Sequence, residues 1–165
     1  MEKSNPPAQP SVHLEETQWR QIAIFQKLAL EELDKVDRRD FQEFKALRLP
    51  PPLLELIFRL HFALVKPKDA NKTPSEWLET ENWSWIKRIV HHYDYPQKVK
   101  EFIVGFPETS TLSYTEYDEI LNWIRHSEHT DLFNSERANN ISRAARLFVK
   151  INDCMLSILG IYFSV

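Results

Sequence analysis

This chain of 165 residues carries 42% hydrophobic and 27% charged residues, an ordinary balance for a globular protein with a real core. Its formal net charge of −3 gives no overall pull toward nucleic acid or an anionic membrane, so an anionic partner must be met by a local basic patch. Two glycines against ten prolines point to helices joined by proline-marked loops rather than hairpins, and the single cysteine, Cys154, excludes an internal disulfide and reads as a small buried apolar residue.

Residues 1–13 form a polar stretch holding Pro6, Pro7 and Pro10, with no apolar run of the kind a secretory signal needs, and are expected to be a disordered tail. The sequons at Asn71, Asn82 and Asn140 are then chance matches. From Glu15 to Leu47 the spacing predicts one long helix. Ile22, Phe25, Ala29, Leu33 and Val36 make a stripe at mixed three and four spacing, and Phe41, Phe44 and Leu47 extend it beyond the charged Asp37-Arg38-Arg39-Asp40. Such a stripe serves equally as a coiled-coil seam or as the face of a helix lying on its own domain.

Pro50-Pro51-Pro52 is a fixed joint, because each proline lacks a donor and biases its predecessor out of the α region. A more apolar helix follows from Leu53 to Val65. After a polar loop, Thr73-Pro74-Ser75-Glu76 reads as a helix start, with Thr73 as the cap and Glu76 closing a capping box. Trp77, Trp83, Trp85, Ile86, Ile89 and Val90 supply bulky core or lid residues. Further helices are expected over Pro96–Val104, over Tyr114–Arg125 with Ser113 as cap, and over Ser135–Ile158. The apolar end from Leu147 to Val165 is interrupted by Lys150, Asn152 and Asp153. Its uninterrupted part is too short to span a bilayer and reads as a helix that docks or pairs. No alternation persists long enough for a strand, so the fold class is all-α.

Chemistry-bearing motifs are sparse. Two glycines cannot build a phosphate-binding loop. His91-His92 and the pair His126 and His129 have no clear third and fourth metal ligands, and Glu116, Asp118 and Glu119 read as a solvated helix face. The residues argue for a protein that is not an enzyme and holds no cofactor.

Leu28-Ala29-Leu30-Glu31-Glu32-Leu33, then Asp40-Phe41-Gln42-Glu43-Phe44-Lys45-Ala46-Leu47 and the proline triplet look like the end of an outgoing stalk helix, and the order of the segments resembles the stalk and microtubule-binding tip of dynein heavy chains, in a divergent form of the dynein heavy chain domain-containing kind. The resemblance continues through Trp77, Glu81-Asn82-Trp83, Phe133 and Ile141-Ser142-Arg143-Ala144-Ala145-Arg146-Leu147. It covers about residues 24–162, with Asp94–Asp131 aligning poorly.

The resemblance implies a compact helical tip with one protruding or folded-back, coiled-coil-like N-terminal helix. Its parts would be a stalk-like helix over 14–49, a tip-like domain over 50–151, and the start of a returning stalk helix, or a docked apolar tail, over 152–165. It implies tubulin as partner, met through basic residues on the first and last tip helices: Arg59, Arg143, Arg146 and Lys150, with Arg137 near enough in sequence to extend them. Arg143, Arg146 and Lys150 stand at i, i+3 and i+7 and share a helix face. Glu55 and Asn140 stand where the family commonly has a lysine and an arginine. There is no room for an ATP-driven ring. The implied setting is cytoplasmic, in the cytoskeleton or a ciliary axoneme, with no nucleic acid and no membrane as partner. The apolar tail is expected to fold back onto Ile22, Phe25 and Ala29. The alternative reading is a degenerate helical structural or interaction module that no longer binds microtubules, whose partner would be another helix or protein, with Trp83 and Trp85 as anchors.

Overall fold

Apolar residues at helical spacing, punctuated by prolines and side-chain caps, fold into helices throughout the described residues. The computed structural model describes residues 13–65, 73–79, 83–90, 92, 94–126 and 131–164. The helices are α1 (Glu16–Leu33), α2 (Arg38–Lys45), α3 (Pro52–Val65), α4 (Pro74–Glu79), α5 (Trp83–Val90), α6 (Tyr95–Gly105), α7 (Tyr114–Ile124), α8 (Ser135–Ile141) and α9 (Arg143–Tyr162). They form an all-α bundle, and no strand occurs among the described residues.

The single helix expected from Glu15 to Leu47 is two helices. α1 stops at Asp34, and Lys35 and Val36 turn back through their N–H groups onto the carbonyls of Glu32 and Leu33. Asp37 then starts α2: its carboxylate accepts from Arg39 N at 2.8 Å and Asp40 N at 3.3 Å, while Asp40 accepts from Asp37 N at 2.8 Å. The charged quartet between the two halves of the stripe is thus a reciprocal cap rather than a helix interior, because short acidic side chains bind nearby backbone donors better outside a helix.

The helix expected from Ser135 to Ile158 also divides. Ser142 is extended, with φ −167° and ψ 158°, and its side-chain oxygen accepts from Ala145 N at 2.9 Å, so it ends α8 and caps α9. α9 then runs to Tyr162, beyond the expected end. α3 opens at Pro52, one residue before the expected Leu53; Thr73 and Glu76 bind each other's backbone N–H at the start of α4 as expected, and Ser113 and Glu116 form a full capping box on α7. The segment Trp83–Val90 is a helix of its own.

α9 is the axis of the bundle, in contact with α1, α2, α3 and α8. It lies antiparallel to α1. Gln18 reaches Ser164 and Trp19 meets Tyr162 edge-on at one end, while Glu32 pairs with Lys150 at the other. The N-terminal helix is therefore laid along the C-terminal one, with Ile22, Ala29 and Leu33 buried beneath it. On its other side α9 packs on α3 through Phe148, whose ring centroid lies 4.8 Å from that of Phe58. α4 closes that core with the buried Trp77, 5.0 Å from Phe62. Trp83 is buried as well, whereas Trp85 is exposed. Residues 1–12, the sequons at Asn71 and Asn82, and His91 and His129 lie outside the described residues.

Candidate functional site

The start of α9 carries the basic row that the sequence singles out, and α1 and α2 supply the acids that meet it. Arg143 stands in the first turn of α9. Its guanidinium donates to Asp40 at 2.7 Å and to the carbonyl of Lys35 at 2.6 Å, which ties the α1–α2 turn to α9. Asp40 is buried, whereas the Arg143 side chain keeps 46% of its surface. Two turns on, the Lys150 ammonium lies 3.5 Å from Glu32 Oε1, and Lys35 binds the other oxygen of Glu32 at 2.5 Å. Burial pushes the Glu32 carboxyl up, but its hydrogen bond to Lys35 and the charges of Lys150 and Lys35 outweigh that and hold it below the ordinary 4.5. Arg146, half-buried between these two cations in sequence, enters no ion pair among the described residues.

Arg59 is placed differently. It lies on α3 with only 15% of its side chain exposed, bonded to Glu55 at 2.6 Å one turn before it and reaching the carbonyl of Leu78 on α4 at 3.5 Å. Glu55, which reverses the charge expected there, thus has a use inside the fold as the partner of Arg59. Arg137 is exposed on α8 and pairs with Asp131 at 3.3 Å. Both border an open cleft of about 480 Å³ between the start of α3 and α8, floored by Pro51, Leu53, Leu56 and Ile141. The structure groups Arg143, Arg146 and Lys150 along the edge of α9 nearest α1 and α2, and engages Arg59 on the α3–α4 side. Pro50 and Pro51 lie between α2 and α3, and Pro52 is the first residue of α3.

Sequence reasoning missed the polar centre of the core. His61 on α3 is fully buried between Asn152 of α9 and Tyr95 of α6. Asn152 Nδ2 donates to the carbonyl of Ile57 at 3.0 Å, so its Oδ1 faces His61 and accepts from Nδ1–H at 3.2 Å. His61 Nε2 is then the acceptor for the Tyr95 hydroxyl at 2.5 Å. Burial holds the imidazole neutral and lowers its pKa from 6.5 to about 4, against the opposing pull of Asn152; burial likewise pushes the Tyr95 phenol up. The signal was present: one histidine and one asparagine interrupt two otherwise apolar helix faces, a pattern that implies mutual satisfaction in a core.

Among the described residues no group of three or more histidine, cysteine, aspartate or glutamate side chains could hold a metal ion. No helix among them is long and apolar enough to cross a membrane. His92 is engaged by Asp94, and the Cys154 thiol is pushed up by burial and by the nearby Asp153 and Glu32 carboxylates, which works against thiolate chemistry. Comparison with protein-family models, curated proteins and solved structures finds no match to this chain.

Proposed function

We propose that the chain is a non-enzymatic, dynein-stalk-like helical module that contacts tubulin through the basic edge at the start of α9, in a cytoskeletal or axonemal setting. The observation that carries this reading is architectural. The first and last helices lie antiparallel, like the two strands of a stalk, and the helices between them flank that pair along its length, α2 beside Arg143, α3 beside Phe148 and Asn152, and α7 beside Phe163. Arg146 is the cation of the row left to meet an acidic surface, with the exposed parts of Arg143 and Lys150 beside it. Attraction between such a row and an acidic lattice is long-ranged and weakened by salt.

A second reading has its own observation. Arg143, Lys150 and Arg59 each have a carboxylate partner inside the fold, which lowers the potential they present outward. That favours a helical structural or interaction module without tubulin binding.

Microtubule co-sedimentation at low and moderate salt separates the two. Reversing Arg143 or Lys150 would set a carboxylate against Asp40 or Glu32 and disturb the fold, so Arg146→Glu is the clean variant. Pelleting that falls with salt and weakens in Arg146→Glu supports the first reading. Absence of pelleting at low salt, from a protein with an intact helical spectrum, would leave only the second.

A further inference from the structure

The basic edge at the start of α9 has neighbours on α2 that spacing along α9 does not reveal. Arg143 donates to the carbonyl of Lys35 at 2.6 Å and to the carboxylate of Asp40 at 2.7 Å. Arg38 and Arg39 lie between those two residues in the chain, so this clamp sets the first turn of α2 beside the first turn of α9. Both arginines are exposed, and among the described residues neither side chain enters an ion pair or a hydrogen bond. Arg146, one turn after Arg143, is in the same condition, though half-buried.

Most acids of this corner are turned inward or engaged. Asp40 is buried against Arg143, and Glu32 is buried against Lys35 and Lys150. The Asp37 carboxylate accepts from the N–H groups of Arg39 and Asp40. Asp34 is the exposed acid whose side chain has no such engagement among the described residues. What the corner offers outward is therefore three guanidinium groups with free donors. A guanidinium matches a carboxylate through two parallel N–H bonds, which makes carboxylates the fitting ligand. Nucleic acid fits less well. The whole chain carries −3, which opposes a dense polyanion, and Phe41, the ring next to Asp40, is buried and cannot stack on a base.

We propose that Arg38 and Arg39 belong to the same binding surface as Arg146, and that this surface, spanning α2 and α9, takes the exposed carboxylates of an acidic protein surface. The inference rests on the tubulin reading for its premise that the partner is acidic, and adds two residues from a helix that the reading leaves out.

The test measures binding of the whole chain to a labelled polyglutamate peptide of about twenty residues by fluorescence anisotropy, at low and moderate salt. Binding should weaken with salt. Arg38→Glu together with Arg39→Glu should weaken it by about tenfold, and Arg146→Glu to a similar extent. Acidic side chains suit the first turn of a helix, so the α2 change leaves that helix in place. Arg20→Glu together with Lys100→Glu alters the net charge equally at exposed positions on α1 and α6, and should change affinity by less than about twofold. Asp34→Asn should tighten binding, a gain that a folding defect cannot imitate. An α2 variant that behaves like the charge control would overturn the inference. So would duplex DNA bound as tightly as polyglutamate, or no binding of polyglutamate at low salt. Microtubule pelleting with the same variants keeps the two readings apart. Pelleting weakened by Arg146→Glu but not by the α2 change would remove α2 from the surface and leave the tubulin reading intact. Polyglutamate binding with the expected variant pattern, but no pelleting, would remove tubulin and leave the α2–α9 surface to an acidic partner of another kind.

Discussion

α9 is held by different physics on its two sides. Against α3 it presents Phe148 and Asn152 to a buried interior, where neutral hydrogen bonds among His61, Asn152 and Tyr95 of α6 supplement aromatic packing. Against α1 and α2 it presents Arg143 and Lys150, whose partners Asp40 and Glu32 are buried while the cations remain partly in solvent. Half-exposed ion pairs are screened by salt and contribute little each, whereas burial and cavity terms are large and indifferent to salt. The α1–α2 side also buries Ile22, Ala29, Leu33 and Phe41, so salt should weaken these ion pairs without releasing that side. The core side should hold until its packing fails.

The largest way to break that contrast is Phe148→Ala. The ring is fully buried and lies within aromatic contact of Phe58, His61 and Phe41, where the core meets α2. Its removal should cost about 3–5 kcal/mol in denaturant unfolding, with no dependence on ionic strength. Acid gives the next largest effect. Folded His61 stays neutral down to about pH 4, while the unfolded chain takes up a proton below the ordinary 6.5. Stability is thus full above pH 6.5 and falls as pH drops from 6.5 to about 4, by about 3 kcal/mol in all. Thermal melts across that window should show the slope in the native chain and lose it in His61→Gln, which cannot titrate. A slope that survives the substitution would place the acid-sensitive group elsewhere.

How much of this was legible in the sequence differs between the same two regions. The helices of the core were readable because their starts carry local signatures: Pro52 has no N–H to leave unsatisfied, and Thr73 with Glu76 and Ser113 with Glu116 satisfy orphan backbone donors with residues three positions apart. The breaks at Asp37 and Ser142 were not recognised, although both are short polar side chains of the capping type. Apolar periodicity runs on across each break, so the pattern reads as one helix when the caps are ignored. The shared face of Arg143, Arg146 and Lys150 also followed from spacing. What spacing could not reveal is that Asp40 and Glu32, far away in sequence, come to meet two of those cations.

The capping role of Ser142 gives a smaller, local test. Ser142→Ala removes the acceptor for Ala145 N at the start of the helix that carries the whole bundle, and should cost about 1 kcal/mol in denaturant unfolding. If the cost is nearer zero, the division between α8 and α9 is held by packing alone.

Lys150→Met should have the smallest effect, and its smallness is the informative part. Lys150 lies 3.5 Å from Glu32 and is 43% exposed, and Lys35 still binds Glu32 at 2.5 Å when it is gone. Methionine keeps much of the aliphatic stem, so the loss at neutral pH should stay within about 1 kcal/mol. The change should appear in the acid limb instead. Glu32 has a lowered pKa in the folded chain, so its contribution is present above the ordinary 4.5 and is lost as pH falls below that value. With Lys150 removed the folded carboxyl protonates more readily, and its share of the stability gained between acid and neutral pH shrinks. The acid limb of the native chain should therefore be steeper below pH 4.5 than that of Lys150→Met, while the two run parallel through the His61 window above it. Curves that differ only in the upper window would mean that Lys150 acts on the core rather than on the seam.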